Sequence, residues 1–269
     1  MKEKLNVAVI ASWYPSRIRP HLGTFVRKQA EAVSGSAVVS ALFVCADNTT
    51  QKKYEIVSNE VNGVYTVNVY YRNTGNPLSK AWRYFMAHRL GWAQILMHSG
   101  KPDLVHLNIL WPAGLFVWYL HKFSGMRYLI TENWTGYLEA DGSYKQSSAV
   151  KKMITKKIAR NAEIITPVSM DLKRAMVQLD LGTRFEIVHN VVDTSLFTPS
   201  SAPATNGKTI FLHVSTTLDD QKNVSGILEA VKILSESRND FELRIVSESD
   251  LSAHAKTAER LGILNNYVV

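Results

Sequence analysis

The chain has 269 residues, 46% hydrophobic and 20% charged, which excludes a disordered class and fits a globular protein of one to two domains. Its single cysteine, Cys45, excludes an internal disulfide and a zinc site built from several thiolates, and makes a reducing cytoplasm the expected compartment. The net charge of +8 is uneven: residues 1–195 carry 24 Lys/Arg against 14 Asp/Glu, giving +10, whereas residues 196–269 carry 7 against 9, giving −2.

In chain order, the first predicted element is a strand over 5–12. Its apolar stretch, residues 7–11, is too short for the hydrophobic region of a signal peptide. A loop then leads to a helix over 24–33, which Thr24 can cap. Gly23 would let a ligand approach the backbone there, the helix dipole favours an anion, and Arg17, Arg19 and His21 add positive charge. A turn-plus-cap explanation serves equally well, and the G-x-G-x-x-G spacing of a dinucleotide site is missing. A strand over 37–44, a hairpin about Asn62-Gly63, a helix over 78–99, a strand over 104–107, a helix over 113–123 and a strand over 128–132 follow. The longest apolar passage, 107–120, is interrupted by Asn108, Pro112 and Gly114 and falls short of the roughly 20 residues that span a bilayer.

Beyond these, the periodicity predicts a helix over 149–162, a strand over 163–168, a helix over 170–179, a strand over 185–190 and a short capped helix after Asp193. Residues 198–207, rich in Pro, Ser, Ala and Gly, have the composition of a linker. A strand over 209–215, a helix over 222–237, a strand over 241–246 and a helix over 251–261 reopen the same rhythm, and the apolar stub Tyr267-Val268-Val269 reads as a strand cut short. The expected fold is therefore α/β: a complete Rossmann-like, doubly wound parallel sheet over 1–197, a linker over 198–208, and the first part of a second Rossmann-like domain over 209–269.

Ligands of doubly wound sheets sit at the carboxyl ends of the strands, so the loops there supply the candidates. His106 could bond a sugar hydroxyl or move a proton, or be a satisfied structural histidine. Glu132, Asn133 and Trp134 offer an acceptor, an amide and a stacking face suited to carbohydrate, with a cap or salt bridge as the alternative for Glu132. Ser169 and Asp171 are explained first as a helix cap and its first turn. Two basic amphipathic helices, one with Lys151, Lys152, Lys156, Lys157 and Arg160 and one with Trp82, Phe85, Trp92, Lys80, Arg83 and Arg89, read first as core helices with solvated cationic faces and second as contacts for an anionic membrane surface. No nucleic-acid-binding motif accompanies the charge.

The order of motifs resembles the retaining glycosyltransferases of family 4, of GT-B fold. The matching pieces are the loop from Tyr14-Pro15 to Gly23, Pro-Asp-Leu-Val-His106, Thr131-Glu132, Pro-Val-Ser169, Asn190 to Asp193 with Phe197-Thr-Pro199, and Asp220-Gln221-Lys222-Asn223 before Ile227-Leu228-Glu229-Ala230. The resemblance implies a first domain that holds the acceptor, a second that binds a UDP- or GDP-sugar, and transfer without a metal to a glycan or lipid-linked acceptor in cell-surface polysaccharide synthesis, on the cytoplasmic face of the membrane. Lys222 would neutralise the departing diphosphate, because without a metal only cations and helix N-termini can do so. Gly23, Thr24, Asn190 and Asp193 fall on the donor side, His106, Glu132 and Asn133 at the reaction centre, and Tyr14, Arg17, Trp134 and Ser169 on the acceptor side. The chain departs from the family at Asn133, where a histidine is usual, at Val191, where glycine is usual, and at Thr216-Thr217, where an arginine is expected. The family's paired-glutamate segment is not in the sequence, which leaves a non-catalytic binding scaffold as the alternative. An isomerase of the same fold would need more cleft carboxylates than Glu132.

Overall fold

The computed structural model of the chain describes residues 4–199 and 207–268. It divides into two compact units, Met1–Asp193 and Thr194–Val269. The expected linker over 198–208 falls mostly outside the described residues, as does Val269.

The first unit is built on a seven-stranded sheet. The strands are β1 (Asn6–Ala11), β2 (Val38–Ala46), β3 (Tyr54–Val61), β4 (Val64–Tyr71), β5 (Leu104–Asn108), β6 (Tyr128–Glu132) and β7 (Ile165–Pro167), in the order β3-β4-β2-β1-β5-β6-β7. All neighbours pair in parallel except β3 with β4, the hairpin that Asn62 and Gly63 turn with positive φ at both positions. The helices are α1 (Thr24–Ser34), α2 (Pro77–Ser99), α3 (Gly114–Ser124), α4 (Ala149–Arg160) and α5 (Met170–Gln178).

Strands covered on both faces read as continuous apolar runs, and β1 divides its own residues between two cores. Ala8 and Ile10 join the core under α2 to α5, with Phe116, Ile158 and Met176, whereas Val7, Val9 and Ala11 join the core under α1, with Val26 and Ala30. From β1 the chain builds outward to β2 on one side and later to β5 on the other, so strand order reverses between them. That reversal leaves a crevice at their carboxyl ends.

The second unit holds the parallel three-stranded sheet β10-β9-β8, from β8 (Thr209–Val214), β9 (Phe241–Val246) and β10 (Tyr267–Val268). Its helices are α6 (Asp219–Lys222), α7 (Val224–Ser235) and α8 (Ser252–Arg260), and its own core gathers Leu228, Phe241, Ile245 and Ile263.

Four expectations need correction. Residues 185–190 form no strand: Phe185 makes a single bridge to Ile165, and the segment lies along β7 through isolated bonds such as the Glu186 N–H on the Ile165 carbonyl (3.1 Å). Residues 194–197 form a turn rather than a capped helix. Thr24 does not cap α1, since Gly23 holds the cap position without a side chain. The helix expected over 222–237 begins two residues later, as α7, because the left-handed backbone of Asn223 (φ 48°) caps it there and ends α6, to which Lys222 belongs.

Candidate active site

At the crevice, the loops after β1, β5 and β6 are tied together by two side chains. Ser12 Oγ donates to the Ile109 carbonyl (2.7 Å) and accepts from the Ala113 N–H (3.0 Å). These bonds hold Ile109 at φ 62°, a left-handed conformation that costs a β-branched residue steric energy. Glu132, 0% exposed, accepts from the N–H of Leu110 (3.0 Å) with one oxygen and from those of Asn133 and Trp134 (both 2.9 Å) with the other. Three N–H donors favour its ionised form, but burial outweighs them and pushes its pKa up to about 7. Its oxygens are thus committed to the backbone, making it a clamp between two loops rather than an acceptor offered to solvent, and it forms neither the cap nor the salt bridge expected as its structural role.

Beside this clamp lies a row of three amides. Gln29, from the buried side of α1, donates to Asn190 Oδ1 (2.8 Å), and Asn190 Nδ2 donates to Asn133 Oδ1 (2.9 Å). The segment carrying Asn190 is held against β7 by the Val188 N–H on the Pro167 carbonyl (3.3 Å) and by His189 Nδ1 on the Val168 carbonyl (2.8 Å). The row ends in unused capacity: Asn133 Nδ2 and Gln29 Oε1 are both buried without a partner among the described residues. One is a donor and the other an acceptor, the complement of a hydroxyl group.

Several expected site residues have internal duties. His106 is two residues short of the strand end, aligned with Val9 and Leu129 in mid-sheet. Its Nε2 bonds Thr131 Oγ1 (2.7 Å), which bonds Thr166 Oγ1 (2.6 Å), so the three side chains stitch β5, β6 and β7 together. Burial lowers its pKa to about 4, leaving a neutral imidazole at pH 7. Tyr14 is buried in the core beside Phe43. Arg17 stacks on Tyr70 (3.9 Å) and binds Asp47 (2.7 Å) and Glu55 (2.7 Å), which compensate its charge and anchor the first loop to the sheet edge. The absent side chain of Gly23 makes room for the chain's own Trp13 backbone, not for a ligand: a Cβ there would lie 2.5 Å from the Trp13 carbonyl carbon and oxygen. Ser169 caps α5 through the Leu172 N–H (3.2 Å). The Trp134 ring packs over Gly136 and edge-on to Tyr137, and Lys151 Nζ lies 5.5 Å from its centroid. Thr24 is the first residue of α1, and Asp193 is an exposed residue at the end of the first unit.

The sequence pattern of Glycosyltransferase Family 4 matches residues 38–196, more than half of the chain and all but the first strand and helix of the first unit. The chain belongs to Glycosyltransferase Family 4. No curated protein matches it by sequence. Among solved structures, sucrose-phosphate synthase from Thermosynechococcus elongatus is similar at TM-score 0.68 and 15% identity, over 98% of this chain and 69% of that one. An E. coli trehalose-6-phosphate structure bound with UDP-2-fluoro glucose is similar at TM-score 0.63 and 9% identity, over 95% and 68%. WaaG, a glycosyltransferase involved in lipopolysaccharide biosynthesis, is similar at TM-score 0.57 and 12% identity, over 97% and 69%. At these identities the likeness establishes the GT-B fold.

Within this family 4 chain, sequence reasoning brought Asn133 and Asn190 forward and missed their third partner. Gln29 sits three residues after Val26 and one before Ala30, a polar residue inside the apolar stripe of α1, and that placement is the signal that could have found it. Ser12 and Asn108 were also missed. Asn108, at the end of β5, is buried with both side-chain atoms unpartnered. Lys222 lies in the second unit as the exposed last residue of α6.

Proposed function

We propose that this glycosyltransferase moves a sugar from a UDP- or GDP-sugar to a glycan or lipid-linked acceptor, with retention and without a metal, in cell-surface polysaccharide synthesis. Within the family, the observation that carries the reading is the Gln29–Asn190–Asn133 row with a buried, unpaired donor and acceptor. Neutral amides match sugar hydroxyls in both hydrogen-bonding directions, and orphaned buried atoms gain about 1 kcal/mol or more from a partner. Asn133 and Gln29 then bind substrate hydroxyls with Asn190 between them, while Glu132 and His106 position the loops and strands beneath. Trp134 offers its remaining ring surface to a sugar. The first N–H groups of α1, set at Thr24 by the Gly23 turn, and Asp193 remain the first unit's donor-side candidates.

On the second unit, Lys222 is the proposed partner of the donor diphosphate. The neighbouring α7 N-terminus has less to give, because Asp219 already accepts from the Ser225 N–H (2.8 Å) and Asn223 from the Gly226 N–H (3.3 Å). Charge for the leaving group therefore rests on the lysine side chain. Isothermal titration with uridine and guanosine diphosphates and their sugars is the test. Micromolar binding to one nucleotide, weakened about tenfold (about 1.4 kcal/mol) in Lys222→Ala, is expected. Absence of binding to every nucleotide would replace this reading by the non-catalytic scaffold. The anomeric configuration of a product formed from a bound donor, read by NMR, checks retention.

A further inference from the structure

Three consecutive helices on one face of the first sheet contain no acidic residue. Helices α2, α3 and α4, 23, 11 and 12 residues long, pack on the same core through Ala87 and Ile95, Phe116 and Leu120, and Ile158 and Ala159. Between them they carry nine Lys/Arg and not one Asp or Glu. Asp180 takes up two of those cations, Lys156 and Arg160, whereas Lys80, Arg89 and Lys122 carry no ion pair among the described residues.

The outward side of this layer is also apolar. Leu78 is 82% exposed and Trp82 60% exposed on α2, Phe123 is 75% exposed on α3, and Met153 is 63% exposed on α4. Trp82 begins a row of aromatic rings that crosses from α2 to α3 through Phe85, Tyr119 and Phe123, at centroid spacings of 6.1, 5.0 and 5.0 Å. Both ends of the row reach solvent. Between the two helices runs an open groove of about 320 Å³, with Arg89, Trp92, Leu96 and Phe123 on its walls. Among the described residues no helix is long and apolar enough to cross a membrane, so such a surface would meet a bilayer from the side.

We propose that the α2–α3–α4 face is a docking surface for an anionic lipid bilayer, with Trp82 and Phe123 entering the interface and the surrounding cations meeting lipid phosphates. Charge selects this occupant: an acid-free, cationic layer complements an anionic surface, and exposed aromatic and aliphatic side chains gain from entering the headgroup boundary. Nucleic acid would match the charge but leave Leu78, Phe123 and Met153 in water, and a second copy of the same face would set cation against cation. The inference stands apart from the transfer reading, since it uses none of the residues assigned to donor or acceptor and its test needs no nucleotide.

The experiment is flotation of the full chain with vesicles of equimolar phosphatidylglycerol and phosphatidylcholine, beside vesicles of phosphatidylcholine alone. Binding to the anionic vesicles only is expected, falling steeply as salt is raised toward about 1 M, where the screening length is about 3 Å. The double variant Trp82→Ala/Phe123→Ala should lower vesicle affinity about tenfold, and Arg89→Glu/Lys122→Glu should abolish binding. Lys256→Glu, in the second unit, should leave it unchanged. All these side chains are solvent-exposed, and circular dichroism confirms that each variant is folded. Equal binding to both vesicles, no binding to either, or an effect of Lys256→Glu as large as that of the α2–α3 variants would overturn the proposal. So would concentration-dependent dimerisation in ultracentrifugation that the Trp82→Ala/Phe123→Ala pair removes.

Discussion

Gly23 and Gly125 share a left-handed backbone conformation, φ 70° ψ 26° and φ 65° ψ 17°, yet their surroundings differ. A Cβ on Gly23 would press on the Trp13 and Tyr14 backbone at 2.5 to 2.7 Å, whereas nothing lies within 4 Å of one on Gly125. Gly125→Ala therefore meets only the cost of a left-handed alanine, about 1 kcal/mol. Gly23→Ala adds displacement of main chain and should cost about 2 to 4 kcal/mol, and it should also weaken acceptor binding because the loop above the crevice shifts. Urea denaturation of the two variants measures both. Equal losses would mean that the loop yields freely and that Gly23 does not set the position of α1.

At the scale of elements, Ser169 takes the capping role that its place before a helix predicts. It caps α5, so Ser169→Ala should lower stability by about 1 kcal/mol while Ser169→Asp, an equally good cap, should preserve it. Thermal unfolding of the pair decides, and a Ser169→Ala variant of unchanged stability would leave the residue available for another role. The strands and helices were legible where apolar runs or a 3.6 period were long, as in β1, β2, α2 and α3. They were not legible where a neighbour decided the outcome. Residues 185–190 are apolar enough for a strand but meet β7 only through isolated backbone bonds, and Asn223 in the left-handed region separates α7 from a short α6 that periodicity did not announce. The candidate site was read from the correct loops, yet the roles within them depended on partners far away in sequence. Arg17 finds Asp47 and Glu55, 30 and 38 positions on, and Gln29 finds Asn190 at 161. Periodicity carries no information about such pairs.

For the molecule as a whole, three buried titratable groups of the first unit set opposing pH dependences. His88 is fully buried between Tyr84 and Phe116 and His106 is half-buried, and burial lowers both pKa values to about 4. Their contribution is complete above about pH 6.5 and is lost as pH falls toward 4, with His106 counting for less because water reaches it. Glu132 acts in the other direction: its pKa is raised from 4.5 to about 7, so its contribution is complete below about pH 4.5 and is lost as pH rises through 7. A shift of this size corresponds to at most about 3 kcal/mol. Glu132→Gln removes that term and also sets an amide N–H₂ against backbone donors, a cost of about 1 to 3 kcal/mol at any pH. The variant should therefore be less stable than the parent throughout, with a deficit that is larger near pH 5 than near pH 8. Urea denaturation at the two pH values measures the difference. A deficit that grows with pH instead would show that the three N–H donors outweigh burial, and that the clamp between the β5 and β6 loops is strongest as a carboxylate.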